Sequence, residues 1–177
     1  MRELFCDVEV IQDFDRLNQT LVLKEEENNQ SVTIKGIPPD SLLLKLDVNK
    51  KEYKRRSIYL RREAPFIHKG CDYCLIIPSR NTIVLFELKS LKPKEKDFVA
   101  QFAASEIFIN YCTELYDFIK CSNSIYRYKR ILLSPKYNNS FTSSRKIQDI
   151  SKTNKCGKTV EIKTPGFPYR INLEKLL

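Results

Sequence analysis

Apolar positions in this chain gather in short runs separated by polar breaks, and in one long stretch they recur every three or four residues. The runs are clearest from residue 70 onward. CDYCLIIP (71–78) is a short apolar strand stopped by Pro78, Ser79, Arg80 and Asn81, which is turn chemistry. TIVLFELKS (82–90) is a second strand, and so short a polar connection predicts that the two are antiparallel neighbours. From about Asp97 to Lys120, the residues Phe98, Phe102, Ile109, Cys112, Tyr116 and Ile119 are spaced as one buried helical face requires. YKRILLS (128–134) follows as a third strand and TVEIKT (159–164) as a further one. The polar stretch between them, KYNNSFTSSRKIQDISKTNKCGK (136–158), reads as loop.

The first third is less regular. TLVLKEE and SVTIKGI, on either side of EENNQ, carry the pattern of a hairpin. VEVIQDFDRL (8–17) fits an amphipathic helix, with Val10, Phe14 and Leu17 on one stripe, or a strand followed by a turn. DSLLLKLDV comes after the Pro38-Pro39 break, and no topology for this region follows from the pattern. Only 4 glycines occur, with no repeat and no Gly/Ser linker, so one domain is expected across 1–177. Within it, 1–59 is an N-terminal elaboration, 60–135 a core, and 136–177 a basic loop with a C-terminal strand. The expected fold class is α/β, a mixed β-sheet flanked by helices.

TIVLFELKS holds an anomaly. Val84, Phe86 and Leu88 share one face, while Ile83, Leu85, Glu87 and Lys89 share the other. Apolar residues on both faces predict a central strand buried on both sides, yet its end carries a carboxylate and an ammonium on one face. Burying such a pair costs desolvation unless something compensates. An ordinary ion pair at the sheet's edge is the structural alternative. Asp72 shifts the balance: if the two strands pair through the Pro78–Asn81 turn, Asp72 and Glu87 lie at the same open end of the hairpin. Two carboxylates and one lysine then converge. Hard oxygen ligands suit Mg²⁺ or Mn²⁺, and a lysine alongside can orient or deprotonate a water. Gln101, Phe108 and Leu115 recur every seven residues on a stripe adjoining the helix's apolar face. Gln101 therefore either bonds to backbone or water at the stripe's edge, or reaches the same site.

Gly70-Cys71-Asp72 opening a strand, Glu87-Leu88-Lys89 ending the next, and Gln101 on the following helix together resemble the core of the PD-(D/E)xK nuclease superfamily. The matched stretch covers about residues 60–135. The resemblance implies a restriction-endonuclease-like core of order αβββαβ, with YKRILLS as the third core strand. It further implies that Asp72, Glu87 and the carbonyl of Leu88 hold one or two divalent metals, Mg²⁺ or Mn²⁺. Lys89 would position the attacking water and Gln101 would assist. The proline that names the motif is replaced by Gly70-Cys71, and the acid usual on the first core helix has no clear counterpart; Glu63, Glu25 and Glu26 are its candidates. A metal-dependent nuclease acting on DNA follows as the expected function, with a homodimer or a partner protein supplying specificity, as in restriction or anti-phage defence systems. A non-catalytic nucleic-acid-binding or scaffolding protein, or a ribonuclease, is the alternative.

Composition adds a partner class. Lys and Arg number 31 against 22 Asp and Glu, a net charge of +9 that makes nucleic acid the leading partner and anionic membrane the second. Basic and aromatic residues interleave in YKRRSIYLRR (53–62) and YRYKR (126–130). Lys54, Arg55, Arg56, Arg61, Arg62, Arg127, Lys129 and Arg130 are the expected phosphate contacts, with tyrosines available to stack on bases; a solvated face is the plainer reading. No apolar run approaches the roughly 20 residues that span a bilayer. The opening MRELFCDVEVIQDFDR carries acids where a secretory signal would be apolar, so a cytoplasmic setting and reduced cysteines are expected. Cys71 and Cys74 are the sole C-x-x-C and should face opposite sides of a strand, as packing residues rather than metal ligands. His68, the only histidine, is either an exposed loop residue or a neighbour of the site.

Overall fold

The computed structural model describes residues 1–5, 9–25, 30–50, 53, 61, 68–89, 94–134, 147–153, 159–166 and 170–177. Ten strands and one α-helix lie among them: β1 (Ile11–Gln12), β2 (Thr20–Glu25), β3 (Gln30–Lys35), β4 (Leu42–Lys45), β5 (Tyr73–Ile77), β6 (Thr82–Leu88), α1 (Glu95–Lys120), β7 (Arg127–Leu133), β8 (Gln148–Thr153), β9 (Thr159–Gly166) and β10 (Arg170–Asn172). The class is α/β, built on a large mixed sheet.

β6 is buried at every position, as a strand apolar on both faces must be. It sits fourth in a seven-stranded sheet of order β1-β4-β5-β6-β7-β9-β8. β4, β5 and β6 form an antiparallel meander, and β6, β7 and β9 run parallel. A parallel neighbour cannot be reached by a tight turn, so α1 serves as the crossover from β6 to β7. Val84, Phe86 and Leu88 enter a core shared with β2, β3 and the 173–177 segment, while Ile83 and Leu85 enter a second core under α1. The result is three layers: α1, the seven-stranded sheet, and a three-stranded sheet of order β10-β3-β2. The hairpin expected from TLVLKEE and SVTIKGI is β2–β3, antiparallel from Thr20↔Lys35 to Glu25↔Gln30. β10 adds to its other side in parallel, Arg170↔Thr33 to Asn172↔Lys35. The β3 exit turns at Gly36, whose φ of +77° and 3.3 Å approach of Asn172 Oδ1 to a notional Cβ both call for glycine.

Four expectations need correction. The sheet has helix on one face only among the described residues; the other face is covered by the small sheet. DSLLLKLDV is not peripheral, because its Leu42–Lys45 pairs with β5 and makes YKRILLS the fourth strand of the β4-β5-β6-α1-β7 series. Of the two readings of VEVIQDFDRL, which needs no correction, the strand followed by a turn is the one residues 9–17 take, with the turn closed by the Asp15↔Thr20 bridge. Part of the polar stretch 136–158 is β8, paired with β9 from Gln148↔Thr164 to Thr153↔Thr159. Finally, Tyr116 and Ile119 fall away from the core, Ile119 being 55% exposed. A helix of 26 residues is about 39 Å long, whereas the 7 residues of β6 span about 23 Å, so the helix overruns the sheet it packs on.

Candidate active site

The end of β6 is where chemistry collects. Tyr73 pairs with Phe86, so one step further along the two antiparallel chains Asp72 comes opposite Glu87. The Leu88 amide donates to Asp72 Oδ2 at 2.6 Å, which ties the carboxylate to the strand that carries Glu87. In an extended strand a residue's N–H and C=O point to the same side, so the Leu88 carbonyl is directed toward Asp72 as well. Lys89 is held by its own amide, which donates to the Leu133 carbonyl at 2.9 Å, and its Nζ lies 2.6 Å from Glu87 Oε1.

Glu87 is fully buried, and neither of its carboxylate oxygens takes part in a hydrogen bond. Lys89 Nζ, 2.6 Å from Oε1, meets this carboxylate as an ion pair. Burial pushes the Glu87 carboxyl well up, the Asp72 charge adds to that, and Lys89 opposes it. Burial likewise pushes Asp72 up to about 6, against the Leu88 hydrogen bond and Lys89, with Asp47 and Glu25 raising it further. For Lys89, burial pulls the ammonium down, but Glu87, Asp72 and Asp47 together carry it above its ordinary value. Three carboxylates thus bear on one lysine, an excess of negative charge in a desolvated setting.

Asp47 is the acid that sequence reasoning missed. It follows β4, and the Leu46 amide donates to the Asp72 carbonyl at 2.8 Å, which brings this segment to the site. Nothing in its spacing from Asp72 could reveal that; only the β4–β5 pairing does. Glu25, one of the three candidates for the additional acid, ends β2 and acts on Asp72. Glu26 and Glu63 lie outside the described residues.

The other residues are more scattered. Gln101 Nε2 donates to the Gly70 carbonyl at 3.1 Å, and four residues on, Ser105 Oγ accepts from the Cys71 amide at 2.7 Å. One face of α1 therefore clamps the backbone that leads into Asp72, and Gln101 acts on the site through that backbone. His68 has a ring nitrogen 3.1 Å from the Arg61 carbonyl. Arg130 is ion-paired with Glu106 of α1. Arg127 pairs with Thr82 and Leu133 with Leu88, so the YRYKR segment starts at the opposite end of β6 from Glu87, about 17 Å away. Arg61 is exposed; Lys54, Arg55, Arg56 and Arg62 lie outside the described residues. Cys71 and Cys74 share the core under α1 rather than facing opposite sides, because Cys71 precedes the strand and its alternation.

A divalent cation fits this donor set. Glu87 offers two buried oxygens without hydrogen bonds, Asp72 leaves Oδ1 beside its bonded Oδ2, and the Leu88 carbonyl completes a hard-oxygen arc. Among the described residues no three His, Cys, Asp or Glu side chains by themselves enclose an ion. Mg²⁺ commonly binds through one or two carboxylates and keeps several waters or phosphate oxygens. Comparison of the chain with protein-family models, with curated proteins and with solved structures returned no match.

Proposed function

We propose that this chain is a metal-dependent nuclease with a restriction-endonuclease-like core, hydrolysing phosphodiester bonds in DNA with Mg²⁺ or Mn²⁺. The observation that carries the reading is the Glu87 carboxylate, wholly buried, without hydrogen bonds, and set between Asp72 and Lys89. No helix of the described residues is long and apolar enough to cross a membrane; a cytoplasmic nuclease, of the kind found in restriction or anti-phage defence, belongs to the same proposal.

When bound, the cation supplies a Lewis acid that acidifies a water and offsets phosphate charge. Asp72 and Glu87 hold it by their free oxygens, with Leu88 contributing its carbonyl. Lys89, one-third exposed, meets solvent beside these carboxylates, where it would orient the attacking water and balance charge on phosphorus. Gln101 and Ser105 fix the Gly70–Cys71 backbone so that Asp72 keeps its place opposite Glu87.

The test is cleavage of plasmid, single-stranded DNA and RNA with Mg²⁺, Mn²⁺ or EDTA. Cleavage of DNA that EDTA abolishes supports the reading, and cleavage of RNA alone makes the protein a ribonuclease. Binding without cleavage under every condition sinks the enzyme in favour of a scaffold. The placement of Arg127 and Lys129 gives a second expectation. Replacing both with alanine should weaken substrate binding and flatten its salt dependence, while single-turnover cleavage at saturating substrate stays within about threefold of wild type. A larger fall in the single-turnover rate would show that these residues reach the reacting phosphate.

A further inference from the structure

The outer side of α1 carries an exposed apolar seam, and no described element packs on it. Ile107 is 72% exposed, Tyr111 63%, Leu115 38%, Phe118 82% and Ile119 55%. Ile107, Tyr111, Leu115 and Phe118 follow one another by fours and a three, Ile119 lies four past Leu115, and Phe108 joins this stripe to the core side of the helix. The helix is thus apolar around more than half of its circumference, a pattern that belongs to a helix covered on two sides. These five residues expose several hundred Å² together, the size at which a patch on a monomer is often functional.

We propose that this seam is a homodimer interface, in which α1 packs against α1 of a second copy across a two-fold axis. Three observations favour a second copy over a different protein. The exposed area is close to the ~800 Å² per partner of a standard interface. Ile107, Tyr111, Leu115 and Phe118 recur by fours and threes, the spacing of a helical seam that an identical seam can fill. The charged groups around the stripe already have partners within one copy: Glu106 and Lys120 are ion-paired with Arg130 and Glu3, and Asp117 accepts hydrogen bonds from Ser122 and Ser124. A partner of opposite charge is therefore not called for, and Glu114, exposed beside the stripe, can stay hydrated at the rim. The site at the end of β6 does not take part, so the inference stands whether or not the protein cleaves DNA.

Light scattering coupled to size exclusion tests it, loading from about 1 to 100 μM, which brackets the affinities usual for interfaces of this size. The expected result is twice the chain mass of 20.8 kDa for wild type, falling to one chain mass in Tyr111→Glu/Phe118→Glu. Both substituted residues lie outside the core, and an unchanged circular dichroism spectrum confirms that the variant is folded. If the variant misfolds, Leu115→Cys replaces it: intermolecular disulfide capture under mild oxidation supports the seam, and its absence counts against it. Wild type that stays at one chain mass at 100 μM overturns the proposal, whether the stripe is open or covered from within the same chain. A dimer that survives in the folded double variant overturns it too.

Discussion

Glu87→Gln is expected to abolish metal-dependent cleavage, by on the order of 10³-fold or more, while raising the melting temperature of the metal-free protein. The loss follows from removing the anionic oxygens that hold the cation. The gain follows from their present situation: a fully buried carboxylate without a hydrogen bond is replaced by a neutral amide of the same shape. Lys89 keeps part of its hydration and still faces Asp72, so it is not stranded by the change. Removing a buried charge of this kind stabilises by about 1–3 kcal/mol, or about 2–10 °C for a domain of this size. Lys89→Ala should move stability the other way, because it leaves Glu87 bare, and it should lose cleavage equally. Nuclease assays run beside thermal melts of both variants give the readout. Two variants that lose activity while their stabilities diverge mark a site built for chemistry. If both melt lower, Glu87 and Lys89 are a strut of the sheet and the metal reading fails.

Asp72 makes the metal-free fold more stable in mild acid than at neutrality. Its carboxyl is raised from 3.8 to about 6, so between those values the folded protein binds more protons than the unfolded chain. Stability then falls as pH rises through that window, by about 3 kcal/mol for a shift of this size. Exposed acids such as Glu3, Asp15 and Asp117 are lowered by their hydrogen bonds and pull the other way, so the diagnostic quantity is wild type minus Asp72→Asn. Asparagine can still accept from the Leu88 amide, and this variant should have a flatter profile from pH 4 to 7 in denaturant titrations with EDTA. Saturating Mg²⁺ should reverse the wild-type slope, since the cation favours the ionised carboxylate. An identical slope in Asp72→Asn would show that Asp72 is not held in the desolvated position described.

What could be read in advance was whatever lay in the alternation of a single strand. Apolar residues on both faces of 82–88 announced a central strand, and the polar pair at its end announced a site. The turn at 78–81 then placed Asp72 beside Glu87 without any knowledge of the rest. β8 escaped because its sequence, QDISKT, has one apolar residue, and the β9 ladder rather than burial makes it a strand. β4 was visible as an apolar run but not as a neighbour of β5, since partner choice across the 46–72 connection leaves no local trace. Asp47 was lost with it. Gln101 could be placed near the core-facing side of its helix, but a hydrogen bond to the Gly70 carbonyl depends on how α1 sits on the sheet, which periodicity does not specify. The second sheet was half legible: the β2–β3 hairpin is local, whereas β10 joins it from the far side of the whole domain.

That last pairing has a consequence for the order in which the molecule is made. Arg170–Asn172 close the edge of β3 from about 140 positions downstream, a contact that no early segment can replace. During synthesis the hairpin must wait, one edge open, until nearly all of the large sheet has emerged. Leu173 and Leu176 arrive at the same moment to fill the core beneath it. The small sheet is therefore expected to be the last layer to lock, and pulsed hydrogen exchange during refolding should find Thr33 to Lys35 protected later than β5 and β6. The chain thus seals its small sheet with residues made after the strands of the large one.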